Sequence, residues 1–122
     1  MEEGRVNLNL EEVIKLSSIF DIEPMFNGVI ITLNTEEQDG TLVLSDNVMS
    51  EVQYVIAKGD HVRSIEVADK VILNLKKMMT KEVNPENQYE YITRVKVDPI
   101  EFNGYTFGLI EDRMIKAKYK NQ

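Results

Sequence analysis

Residues 27–33 read Asn27-Gly28-Val29-Ile30-Ile31-Thr32-Leu33. An Asn-Gly pair marks a turn because both residues tolerate positive φ, and the β-branched run behind it suits a pleated backbone. Val29, Ile31 and Leu33 share one face and Ile30 and Thr32 the other, so the period is two and the segment reads as a strand. The same period recurs downstream. Glu51 to Ala57 is ended by Lys58-Gly59-Asp60, and Val67 to Leu73 puts Val71 and Leu73 on one face. Tyr91, Thr93, Val95 and Val97 alternate with Ile92, Arg94, Lys96 and Asp98, and Tyr105, Phe107 and Leu109 follow the turn Phe102-Asn103-Gly104. Met114 to Tyr119 closes the series, although Ala and Lys dilute its β-propensity. Short strands separated by turn signals, with little helix, predict an all-β domain, either a small barrel or a sandwich.

Upstream of this run the period is different. Leu10, Val13, Ile14, Leu16 and Phe20 fall at helical spacing, with Asn9 placed as an N-cap and Glu12 three positions later. Ser17 and Ser18 weaken the helix and Pro24 ends any continuation. Residues 1–23 therefore read as an N-terminal extension holding one short amphipathic helix, and 24–122 as the β domain. The helix's apolar stripe must cover its own domain or a neighbouring subunit.

Two segments fit neither period. The stretch 75–88 carries Lys76, Lys77, Lys81 and Pro85 and reads as an exposed insertion, with Met78 and Met79 filling a local gap. The other is Asn34 to Glu51, a polar stretch that contains Gly40-Thr41-Leu42-Val43-Leu44. Three adjacent aliphatic residues flanked by Glu36, Glu37, Gln38, Asp39, Ser45, Asp46 and Asn47 suit a sticky loop. A short buried strand is the competing reading, since brief apolar runs are usually core.

Composition narrows the function. At 122 residues the chain has room for one modest core. A hydrophobic share of 43% against 29% charged is that of a globular domain and not of a disordered one. The formal charge of −7 opposes a phosphate-binding surface, so nucleic acid is not an expected partner. With no cysteine there is no disulfide, thiolate nucleophile or cysteine-ligated zinc. No basic region leads into a long apolar run, and no stretch is long enough to span a bilayer. A cytoplasmic protein without a membrane partner is the expectation.

The search for catalytic chemistry ends without a site. His61, the single histidine, follows Gly59-Asp60, and Asp60 is its only near companion as a metal ligand. Glu36, Glu37 and Asp39 lack the spacing of a calcium loop. Glu111 and Asp112 are neighbours that a strand would point to opposite faces, so a turn is the simpler assignment. The glycines are scattered and form no phosphate-binding loop. A non-enzymatic protein without cofactor or metal is expected.

Several local patterns nevertheless occur in one order. Pro24-Met25-Phe26-Asn27-Gly28-Val29-Ile30-Ile31 resembles the opening Pro-Leu-x-Asp-Arg-Val-Leu-Val run of the GroES-type co-chaperonins. Gly40-Thr41-Leu42-Val43-Leu44 is similar to that family's mobile-loop motif, Gly-Gly followed by Ile-Val-Leu. Val52 to Gly59 resembles its Gly-x-Val-x-x-Val-Gly strand, and Ile65 to Leu73 its Val-Lys-Val-Gly-Asp-x-Val-x-Phe segment. Leu109 to Ile115 is similar to its closing pattern, an acidic turn leading to Asp-Ile-Leu. The likeness covers roughly residues 24–74 and 105–117. There are departures: Ala68 stands where the family has Gly, and Gly28 where it has Arg. Only residues 60–66 remain where bacterial members carry a longer roof hairpin, which resembles the co-chaperonins of large tailed phages.

The resemblance implies a GroES-like β-barrel with a flexible loop over 34–51. It also implies a heptameric homo-oligomer that caps an ATP-bound chaperonin ring and assists folding of enclosed proteins. Leu42, Val43 and Leu44 would enter the chaperonin's groove, with Gly40 letting the loop turn onto its partner. A different class of function is a structural or ring-assembly role in a phage virion, with the triplet and the N-terminal helix cementing subunits.

Overall fold

The computed structural model describes residues 7–35, 49–84 and 86–120. It opens on helix α1, Leu10–Ile19, whose start follows the sequence closely. The Asn9 side chain accepts from the Glu12 N–H at 2.9 Å, and the Glu12 carboxylate accepts from the Asn9 N–H at 3.0 Å. This reciprocal capping box satisfies two donors that a helix N-terminus leaves without intrahelical partners. At the other end the Ser17 and Ser18 hydroxyls donate to the carbonyls of Ile14 and Lys15, the back-bonding that makes serine a weak helix former. The helix stops at Ile19, ahead of Pro24.

The body is a six-stranded antiparallel sheet. Its strands are β1 (Gly28–Ile31), β2 (Val52–Lys58), β3 (Lys70–Leu73), β6 (Asp98–Phe102), β7 (Tyr105–Glu111) and β8 (Ile115–Lys118). They lie in the order β6-β7-β1-β2-β3-β8, so the segment that fixed the fold class is a central strand. Both faces of β1 are buried, and the period of two sends its side chains into separate clusters. Val29 and Ile31 join Val55, Val71, Leu73 and Ile110 on one face. Ile30 joins Ile56 and Phe107 on the other, where Val13 and Leu16 of α1 cover them. Val13, Leu16 and Phe20 of the expected stripe thus pack on the chain's own sheet, while Leu10 and Ile14 stay exposed. Each fully buried aliphatic or aromatic side chain contributes about 1.5–3 kcal/mol, which makes these two clusters the main source of stability.

A second, two-stranded sheet stands beside this one. After the short helix α2 (Leu75–Met78), β4 (Met79–Asn84) pairs with β5 (Asn87–Val95) as an antiparallel hairpin. The segment 75–88 is therefore part of a regular element that continues to Val95. Other boundaries also move. The expected strand 67–73 begins at Lys70, because Ala68 takes a positive φ of 76°. The expected strand 91–98 divides into β5 and β6. Phe102, expected in the turn, closes β6, and Pro99 within β6 is tolerated because this is an edge strand with no neighbour on one side. Asn103 (φ 53°) and Gly104 (φ 85°) make the two-residue β6–β7 turn with both residues in the left-handed region, as the Asn-Gly signal predicts. Among the described residues, no helix is long and apolar enough to cross a membrane.

Candidate functional site

The residues expected to bind a partner, Gly40, Leu42, Val43 and Leu44, lie outside the described residues. What the structure does show is the root from which they leave. Residues 36–48 connect β1 to β2, and Thr35 and Met49 at their two ends form an antiparallel bridge. The expected loop of 34–51 is thus narrower, because Asn34, Thr35, Met49, Ser50 and Glu51 are held by the body.

The hold is made by amides. Gln53 sits at the second position of β2 and is fully buried. Its Oε1 accepts from the Thr32 hydroxyl at 2.8 Å and from the Asn34 N–H at 2.8 Å. Its Nε2 donates to the carbonyls of Asn34 at 2.9 Å and Ser50 at 2.7 Å. Two acceptor sites and two donors are the full capacity of a carboxamide, so Gln53 leaves nothing unpaired in the interior. Thr32, also buried, accepts from the Tyr54 N–H through its hydroxyl oxygen, while its own N–H donates to the Tyr54 carbonyl. The Ser50 N–H closes the base by donating to the Asn34 carbonyl at 3.0 Å.

A second tier ties the N-terminal extension to the same place. The Asn34 side chain accepts from the Leu8 N–H and donates to the Leu8 carbonyl, both at 3.0 Å. Asn7 repeats the arrangement on Thr35, accepting from its N–H at 3.0 Å and donating to its carbonyl at 2.9 Å. A carboxamide carries the same donor and acceptor as a peptide group, so each Asn acts as one rung of a ladder. The substitution is needed here because β1 and β2 lose register between Ile30 and Ile31, and regular pairing fails where the strands part. Thr35 and Met49 are therefore held at fixed positions on the body.

Two other positions show how the backbone around β2 and β3 is built. A Cβ on Gly59 would stand 2.3 Å from the Phe26 carbonyl oxygen, so only glycine fits this approach. Ala68 adopts φ 76°, a conformation that costs an L residue about 1–2 kcal/mol and that glycine adopts freely. The turn is supported by the next residue. Asp69 is buried, its carboxylate accepting from the Glu66 N–H at 2.9 Å and lying 3.7 Å from Lys118 Nζ.

No family model matches the chain, and no curated protein matches it.

The remaining sequence candidates stay apart from one another. His61 is exposed, its ring beside Phe26 with centroids 5.5 Å apart. Glu36, Glu37 and Asp39 lie outside the described residues. Glu111 ends β7 and Asp112 opens a 3₁₀ turn, where its N–H donates to the Asn27 carbonyl. Among the described residues, no three His, Asp or Glu side chains gather as a metal site. Sequence reasoning did not find Gln53, Thr32, Asn34 or Asn7. A polar Gln in a buried position of an otherwise apolar strand was the one available signal.

A groove of about 480 Å³ runs between residues 22–28 and the β6–β7 edge, and the charged side chains among its described lining residues are Glu23, Asp98 and Glu111. The cations of 113–118 are paired within the chain: Arg113 with Glu111 of this groove, Lys116 with Glu51 at 3.9 Å and Lys118 with Asp69 at 3.7 Å.

Proposed function

We propose that this chain is a co-chaperonin of the GroES type, an oligomeric cap for an ATP-bound chaperonin ring that assists folding of the proteins enclosed beneath it. The observation that carries this reading is the locked root. A segment bearing Leu42, Val43 and Leu44 is presented from a base whose polar groups are paired and whose two ends are pinned. An anchored base limits the conformations the segment explores and so reduces the entropy lost on docking.

The glycine pattern supports the family likeness independently. Gly59 matches the last glycine of the family's Gly-x-Val-x-x-Val-Gly strand, and the close approach to Phe26 demands it. Ala68 stands where the family has glycine, and its backbone takes the conformation glycine prefers. The departure changes the side chain and keeps the turn. In this reading the six-stranded sheet curls about the cluster of Val29, Val55 and Leu73 as the family's barrel.

Docking one triplet contributes about 1.5–3 kcal/mol per side chain, against about 1–2 kcal/mol for each loop residue that becomes ordered. A single chain therefore binds weakly, and useful affinity needs many copies presented together. In this reading the copies form a closed homo-oligomeric ring such as a heptamer. Weak individual contacts also let the cap leave when the chaperonin changes nucleotide state. The short 60–66 connection favours the phage-encoded kind working in a host cytoplasm. A virion-cementing role has less support, because Val13 and Leu16 of α1 are taken up by its own sheet, which leaves Leu10, Ile14 and Ile19 as the helix's exposed apolar residues.

A refolding assay with purified chaperonin, ATP and a stringent substrate tests the proposal. Release of active substrate only when this protein is added supports it; identical yields with and without the protein contradict it.

A further inference from the structure

The chain contains two Asn-Gly pairs, Asn27-Gly28 and Asn103-Gly104, and the fold treats them oppositely. Asn-Gly is the dipeptide most open to intramolecular attack on the amide, because glycine has no side chain to shield its nitrogen. Whether the reaction proceeds depends on two things: a free glycine N–H and an Asn side chain free to rotate towards it.

Neither is available at Asn27. The Gly28 N–H donates to the Met25 carbonyl at 2.9 Å, and Gly28 is paired to Glu111 in the centre of the sheet. The Asn27 side chain donates to Asp112 Oδ2 at 3.3 Å, and its carbonyl accepts from the Asp112 N–H. At Asn103 both are available. Among the described residues no hydrogen bond ties its side chain, and the Gly104 N–H makes no turn or loop bond. Both residues are exposed, and a Cβ placed on Gly104 would meet no atom beyond its chain neighbours within 4 Å. The turn also closes an edge strand paired on one side alone, so opening it breaks fewer pairings than opening the central strand at Gly28 would, although Phe102 and Tyr105 beside it pack on the second cluster.

We infer that Asn103 is a site of spontaneous deamidation and that Asn27 is protected by the fold. The Gly104 nitrogen loses its proton and attacks Cγ of Asn103; the Cγ–Nδ2 bond breaks, ammonia leaves, and a five-membered imide forms. Water then opens the imide at either carbonyl and leaves aspartate or isoaspartate. No oxidant or reductant is required. The isoaspartyl product adds a methylene to the main chain, and a two-residue turn of that length no longer matches the Phe102–Tyr105 register. The strand set loose is β6, whose Phe102 ring packs 4.7 Å from that of Phe20, so the change loosens one acidic edge of the sheet.

The full chain is incubated in mildly alkaline buffer, natively and in urea, and the two peptides are followed by mass spectrometry with a chemical assay for isoaspartate. The expected result is native conversion at Asn103 at least about tenfold faster than at Asn27, with the two rates converging in urea, where the fold no longer distinguishes the sites. The variant Asn103→Gly, which keeps a residue suited to positive φ, should fold and accumulate no isoaspartate at the hairpin. Equal native rates at the two sites, or an Asn103 amide that persists natively while it converts in urea, overturn the inference.

Discussion

The β1–β2 root and the β6–β7 turn both bring the chain back antiparallel, and they do so by different physics. The β6–β7 turn is local. Two residues, Asn103 and Gly104, adopt positive φ, and their identities alone select the geometry. The root is non-local. Gln53, Asn34, Asn7, Thr32 and Ser50 come together from three stretches of chain, with Asn7 and Thr35 separated by 28 positions. A turn of the first kind fixes register and offers little else. A root of the second kind holds two distant points of the chain, Thr35 and Met49, at a set place.

Replacing the centre of the root should produce the largest effect. Gln53→Leu keeps the volume nearly constant and removes four hydrogen bonds, leaving buried backbone groups of Asn34 and Ser50 without partners. A loss of about 3 kcal/mol is expected, read as a lower urea midpoint at unchanged slope. A loss under about 1 kcal/mol would mean that water replaces the amide and that the root is not locked.

The local turn should respond less. Gly104→Ala places a Cβ in open space, so sterics with neighbours are absent and only backbone strain at φ 85° remains. The expected cost is about 1–2 kcal/mol in the same titration. Ala68→Gly runs the other way. Relief of strain at φ 76° outweighs the added freedom of the unfolded chain, and stability should rise by about 1 kcal/mol. Asn7→Ala lies at the exposed rim of the root and should cost about 0.5 kcal/mol. Its sharper readout is hydrogen exchange at Thr35, which should accelerate while exchange at Ile30 stays slow.

The same contrast explains what the sequence made legible. The α1 capping box was readable because Asn9 and Glu12 lie three residues apart, and the β6–β7 turn because its two residues are adjacent. Central strands announced themselves by alternation of Val and Ile. The β4 strand did not, since Thr80, Lys81 and Asn84 carry no apolar period, and β6 did not, since the alternation read over 91–98 runs across the break between β5 and β6. The root was not legible at all. Its bonds join residues with no shared periodicity, and an Asn in a loop looks the same whether it is solvated or forms a rung. The triplet Leu42-Val43-Leu44 was conspicuous as an oddity of composition, while residues 7, 8, 34 and 53, which hold Thr35 and Ser50 on either side of its segment, carried no such signal.

The central claim is that the triplet binds a chaperonin ring in many copies from a folded body. Native mass measurement of a chaperonin mixed with the protein and ATP tests it most directly, alongside the variant Leu42→Asp. The expected result is an ATP-dependent complex carrying a whole ring of copies, lost in Leu42→Asp while that variant keeps the circular dichroism and urea midpoint of the parent. No ATP-dependent complex with the parent protein, or a Leu42→Asp variant that unfolds, would contradict the account.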